Sequence, residues 1–298
     1  MKSVLLVNLG TPSAPTPEAV RAYLAEFLSD PMVVALPRLL WLPILHGIVL
    51  RTRPAKSAAK YRLIWTPEGS PLAVHTARQA HALAGKTGWT VEYAMRYGKP
   101  SIASRWTDGA LVLPLYPQYS DSTTGSVLAQ LPPTARVVRE FHAHPAYISA
   151  LASSIRNFWQ QHGRAERLVM SFHGLPQRAV DLGDPYQKQC VETARLLAEA
   201  LGTADYLVTF QSRFGAAKWL RPYTEPTLVE LARSGTHEVD VVCPGFVCDC
   251  LETLEEINIA ARGAFLAAGG TVFRYIPCLN ESPEWIAALA EISGASVP

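Results

Sequence analysis

Short runs of apolar residues alternate with amphipathic stretches along the whole of this chain. Val4–Leu9, Val91–Met95, Ala110–Leu115, Val137–Phe141, Leu168–Ser171, Tyr206–Phe210, Val239–Val242 and Val272–Tyr275 each read as a strand. Helical patterns lie between them. Thr16 with Pro17 at the first helical position opens a helix to about Leu28. Further helices are expected from Pro145 to about Gln161 and at Pro185–Leu201, Glu225–Ser234 and Leu251–Ala268. Ser282 reads as the N-cap of a last helix, with Pro283 just inside it. Strands that are apolar on both faces must be covered on both faces, so the alternation predicts parallel sheets with helices on each side. The series runs twice. The expected architecture is therefore α/β, with two Rossmann-like lobes over 1–144 and 145–281 and a C-terminal helix over 282–298. Ligands of such sheets sit at the carboxyl ends of the strands, so the residues that follow each strand are the ones to inspect.

Composition narrows the class. Of 298 residues, 49% are hydrophobic and 17% charged, enough for a sizeable core and unlike a disordered chain. A net charge of +2 without a long basic run gives nucleic acid no electrostatic footprint. Met1 to Asn8 runs straight into the first strand without an apolar signal core, which predicts the mature start of a cytosolic protein. The longest apolar stretch, Leu39 to Leu50, falls far short of the ~20 residues a bilayer span needs. The cysteines are Cys190, Cys243, Cys248, Cys250 and Cys278, an odd number that argues against a disulfide framework.

Three segments that follow strands carry residues with chemistry. Ser171-Phe172-His173-Gly174-Leu175-Pro176 places an imidazole at a strand end, where it can take a proton or bind a metal. A histidine that merely hydrogen-bonds its loop fits the same position. Cys243 to Glu256 leaves a strand and enters a helix. Glu252 and Glu256, four apart, share one helix face, and such carboxylates repel unless a proton or cation lies between them. A solvated acidic first turn, favoured by the helix dipole, explains them equally. Tyr116-Pro117-Gln118-Tyr119-Ser120, with the hydroxyl-rich turn after it, suits a flat aromatic ligand with polar edges, or a stiff loop whose Ser and Thr cap the next helix. There is no GxGxxG, P-loop or GxSxG in the right context.

Taken in order, these segments resemble the ferrochelatase family over almost the whole chain. The resemblance begins at Val7-Asn8-Leu9-Gly10-Thr11-Pro12 and continues through Tyr61-Arg62, Gly69-Ser70-Pro71-Leu72 and Ala94-Met95-Arg96-Tyr97-Gly98. It includes the Tyr116 and His173 segments, Phe210-Gln211-Ser212-Arg213-Phe214-Gly215, Trp219-Leu220-Arg221-Pro222, and Pro244-Gly245-Phe246 to Glu256. The wording is closest to Gram-negative bacterial forms. The resemblance implies insertion of Fe2+ into protoporphyrin IX, a lyase reaction that ends haem biosynthesis, in a cleft between the lobes. It implies that His173 and Glu252 act as a catalytic and metal-binding pair facing each other across the porphyrin. It implies that Arg96, Tyr97, Tyr116, Tyr119 and Trp219 bind the porphyrin. The apolar segment Met32 to Val49 matches a lip over the cleft mouth, allowing a loose peripheral contact with the inner membrane.

Two departures stand out: the chain is short between Pro100 and Gly109 and around Leu131–Pro133, and Cys250 stands where some relatives have histidine. Some ferrochelatases carry a [2Fe–2S] cluster. Cys243, Cys248 and Cys250 are close in sequence, with Cys190 or Cys278 as a fourth ligand, but buried small hydrophobes explain them too. The expected cofactor set is none beyond the substrate Fe2+. A chelatase for another tetrapyrrole and a non-catalytic porphyrin carrier are the rival readings, and the carrier has no need of the His173–Glu252 pair.

Overall fold

The computed structural model describes residues 2–215 and 217–295. Among them, eight strands form two parallel sheets. The first contains β1 (Ser3–Gly10), β2 (Thr90–Tyr97), β3 (Leu111–Pro114) and β4 (Arg136–Val137) in the order β2-β1-β3-β4. The second contains β5 (Arg167–His173), β6 (Tyr206–Gln211), β7 (Glu238–Val242) and β8 (Val272–Tyr275) in the equivalent order β6-β5-β7-β8. Winding reverses direction beside β1 in one sheet and beside β5 in the other. This leaves a crevice outside the strand ends between β1 and β3, and another between β5 and β7. Helices connect the strands, as parallel pairing requires.

The chain divides into two compact units, one spanning 1–140 together with the last turn of the final helix from Ser293, the other Phe141–Ile292. In the first, Leu5, Val7, Ala94, Val112 and Val127 form a core cluster on one face of the sheet. In the second, Val169, Val239 and Val241 pack with Leu228, Ile257, Phe265 and Phe273. Ile257 and Phe265 come from the segment that follows β7, so this core fixes which face that segment turns inward.

Two local expectations need correction, and a third segment needs description. The strand read over Val137–Phe141 is only Arg136–Val137. It pairs with Leu111 and Val112 at the sheet edge, and the ladder stops after the Val138 amide donates to the Val112 carbonyl. The single α-helix read over Leu251–Ala268 is instead a π-helix at Glu252–Ala261 that becomes α-helical at Arg262–Ala267. The apolar stretch after Met32 is not one uniform face. It forms a helix at Arg38–Ile44 and a π-turn at Leu45–Val49, and continues as a helix at Leu50–Ile64. Leu39 is 91% exposed and Leu40 66%, while Trp41 and Leu45 are buried, with the Trp41 indole N–H donating to the Leu28 carbonyl at 2.6 Å. No helix among the described residues is long and apolar enough to cross a membrane.

Candidate active site

His173 is the last residue of β5, and Glu252 opens the π-helix that follows β7, so the two flank the crevice of the second sheet. The imidazole Nδ1 lies 2.6 Å from the Gly174 carbonyl oxygen. A carbonyl can only accept, so Nδ1 carries a proton, and in the neutral ring Nε2 is the nitrogen that holds the lone pair. The Gly174 amide in turn donates to the Gln211 carbonyl at 2.7 Å. A Cβ at Gly174 would lie 2.5 Å from that carbonyl oxygen and 3.2 Å from the Trp219 ring. Only glycine permits this approach, and it fixes the group that orients His173.

The π-helix sets the acidic side chains. Glu252 and Glu256 are both partly exposed, whereas Thr253, Glu255 and Ile257 between and beyond them are buried. The Glu256 carboxylate accepts the Ser212 amide at 2.7 Å on one oxygen and the Ser212 hydroxyl on the other. Burial pushes the Glu256 carboxyl above the usual glutamate range. The two Ser212 hydrogen bonds and the charge of His173 work against that shift, while the charge of Glu252 adds to it. Both His173 and Glu252 thus act electrostatically on Glu256.

Gln211 and Ser212, at the end of β6, brace this cluster. The buried Gln211 side chain donates to the Glu252 carbonyl at 2.8 Å and accepts the Ser171 hydroxyl at 2.7 Å. Its main chain pairs with His173. Ser212 sits at φ 64°, a conformation that favours glycine, and from there its amide and hydroxyl both reach Glu256. Neither residue stood out in the sequence beyond belonging to the Phe210–Gly215 segment. The signal available was position: both directly follow a strand.

Trp219 is half-buried in the same unit. Its indole N–H donates to the Phe214 carbonyl at 2.8 Å, and its backbone bridges Pro176. The remaining expected ligands belong to the first unit. Arg96 and Tyr97 end β2 and meet at Asp30. The Arg96 Nη2 lies 2.5 Å from Asp30 Oδ2, and the Tyr97 hydroxyl donates to the same oxygen at 2.8 Å. Tyr97 is fully buried, and burial pushes its phenol up. Tyr116 and Tyr119 follow β3. The Tyr116 hydroxyl is buried with no hydrogen-bond partner among the described residues. The Tyr119 hydroxyl donates to Asp121 at 3.0 Å, and the Arg139 guanidinium lies 5.4 Å from its ring centre.

None of the five cysteines is in a disulfide, and all are buried. Burial raises the thiols of Cys190, Cys243, Cys250 and Cys278 well above the usual range. Among the described residues, no three His, Cys, Asp or Glu side chains are arranged to hold a metal ion.

Known proteins match this chain closely. The family description "Ferrochelatase" matches residues 1–296. A ferrochelatase of Polaromonas sp. is 60% identical, the match covering 98% of this chain and 86% of that protein. Those of Azoarcus sp. and Nitrosomonas europaea are 56% and 52% identical, with 96% and 97% of this chain covered and 85% and 86% of those proteins. In fold, the chain resembles CbiX, described as the terminal enzyme for biosynthesis of siroheme in denitrifying bacteria, with TM-score 0.55, 18% identity and full coverage of both chains. It also resembles SirB from Bacillus subtilis with Fe3+, with TM-score 0.56, 12% identity, and 99% and 96% coverage. With a match from end to end and such identities, the chain belongs to the ferrochelatase family.

Proposed function

We propose that this chain inserts Fe2+ into protoporphyrin IX to give protohaem and two protons, with His173 as the group that takes the protons. The carrying observation is the His173 imidazole at the end of β5, whose Nδ1 donates to Gly174 so that Nε2 is the nitrogen left for a proton, with His173 and Glu252 both acting electrostatically on Glu256. A free-base porphyrin holds two pyrrole N–H protons. As Fe2+ forms bonds to the four ring nitrogens, both N–H bonds break and both protons must leave. Nε2 accepts a proton as iron enters. The imidazolium so formed is stabilised by the carboxylates, and the proton passes to them. Glu256 suits that hand-over because burial lets its carboxyl hold a proton closer to neutral pH than an exposed glutamate would. His173 and Glu252 are also donors that ferrous iron accepts, so the pair serves the metal on its way to the ring.

Arg96, Tyr116, Tyr119 and Trp219 serve the porphyrin's flat faces and polar edges, with Tyr97 as a buried prop beneath Arg96. The exposed Leu39, Leu40, Ile44 and Ile48 form an apolar surface for a loose peripheral membrane contact. No cofactor is required beyond the substrate iron. The experiment is a zinc- or iron-insertion assay with protoporphyrin and coproporphyrin on wild type and Glu252→Gln. Wild type turns over protoporphyrin preferentially, and the variant binds the porphyrin but does not metallate it. A wild type that binds porphyrin without metallating it overturns the reading in favour of a carrier.

A further inference from the structure

Asp30 is not among the residues expected to serve the reaction, yet it organises the site side chains of the first unit. It lies just beyond the helix Pro17–Leu28, 8% exposed, and its carboxylate gathers donors from three other places in the chain. Oδ2 accepts Arg96 Nη2 at 2.5 Å, the Tyr97 hydroxyl at 2.8 Å and the Ser126 hydroxyl at 2.6 Å. Oδ1 accepts the Met32 amide at 2.8 Å, where the apolar segment begins. Burial alone would raise this carboxyl. The Ser126 and Tyr97 hydroxyls, the Met32 amide and the Arg96 charge outweigh it and hold Asp30 below the usual carboxylate range.

The consequence falls on Arg96. Its Nε donates to the Ser126 hydroxyl at 2.6 Å and to the Ser126 carbonyl at 3.0 Å, and Nη2 is held by Asp30. Nη1 is the guanidinium nitrogen left without a partner among the described residues, on a side chain that is only 11% exposed. A guanidinium fixed on two edges presents its third in one direction and loses little entropy on binding. The Tyr116 phenol feels the charge of Arg96, and its own hydroxyl is buried and unpartnered. A guanidinium nitrogen aimed in this way makes a polar contact for a ligand.

We propose that Asp30 is a positioning residue for the porphyrin, acting through Arg96: it fixes the guanidinium so that Nη1 is ready for a polar group of the substrate. This rests on the assignment of Arg96 to porphyrin binding. The test is a double-mutant cycle on protoporphyrin IX affinity, read by fluorescence titration without added metal, so it does not depend on the insertion chemistry. Asp30→Asn should weaken binding about tenfold in the wild-type background, the scale of one lost charge-assisted hydrogen bond. It should have little further effect in an Arg96→Met background. Ser126→Ala, a milder loosening of the same network, should weaken binding by a smaller factor and serves where Asp30→Asn does not fold. Unchanged affinity in folded Asp30→Asn and Ser126→Ala, or losses that add fully to that of Arg96→Met, would overturn the proposal. If Arg96→Met alone leaves affinity unchanged, the underlying assignment of Arg96 fails instead.

Discussion

At the scale of single residues, the site depends on how tightly a few side chains are oriented. Gly174 has no room for a Cβ against the Gln211 carbonyl, and its own carbonyl holds the His173 tautomer. Gly174→Ala should therefore lower kcat for metal insertion by about a hundredfold, the scale of an ångström-sized misplacement, while circular dichroism stays native. Wild-type kinetics in this variant would show that His173 orientation does not depend on Gly174. Glu256 makes the opposite kind of prediction. Its folded-state carboxyl lies above its unfolded value, so the protonated form is the one folding favours. The cost of keeping it charged appears as pH rises above the ordinary glutamate range and is complete above the folded-state value. Glu256→Gln, which can keep the Ser212 contacts, should raise Tm relative to wild type at neutral pH and lose that advantage in acid, while insertion slows. A Tm gain that does not change with pH would contradict the burial argument.

At the scale of elements, the proposed function rests on the strand ends and the two helices after Met32. Trp41 is buried against the end of the preceding helix, so Trp41→Ala should cost about 3 kcal/mol in urea unfolding. Leu39→Ser with Leu40→Ser should change stability by less than about 0.5 kcal/mol per site, because both side chains are exposed. The same pair should weaken binding to anionic lipid vesicles. Unchanged vesicle binding would remove the membrane role of this face. The strands were legible because a run such as Leu168–Ser171 is apolar on both faces and pairs on both edges in a parallel sheet. The positions of His173 and Glu252 beside such strands were legible for the same reason, while their pairing came only from the family resemblance. The π-helix was not, since Glu252 to Ala261 has the composition of an ordinary helix and its i→i+5 register depends on tertiary contacts, among them Gln211 on the Glu252 carbonyl. Asp30 was not, because its partners Arg96, Tyr97 and Ser126 are more than sixty positions away and only folding brings them together.

At the scale of the whole molecule, the two α/β units share one strand order, and the proposed function gives the buried cysteines no part in the reaction. The purified protein, free of haem, should be colourless, and Cys248→Ser should remain active. Visible absorbance that bleaches with dithionite, with two irons per chain, would assign the cysteines to a cluster instead. The most direct test of the central claim is the rate of metal insertion into protoporphyrin by His173→Ala, with porphyrin affinity measured on the same preparation. Proton removal by His173 predicts that affinity survives and insertion is abolished. A variant that keeps more than about a tenth of wild-type kcat, a loss under ~1.4 kcal/mol in the barrier, would contradict it.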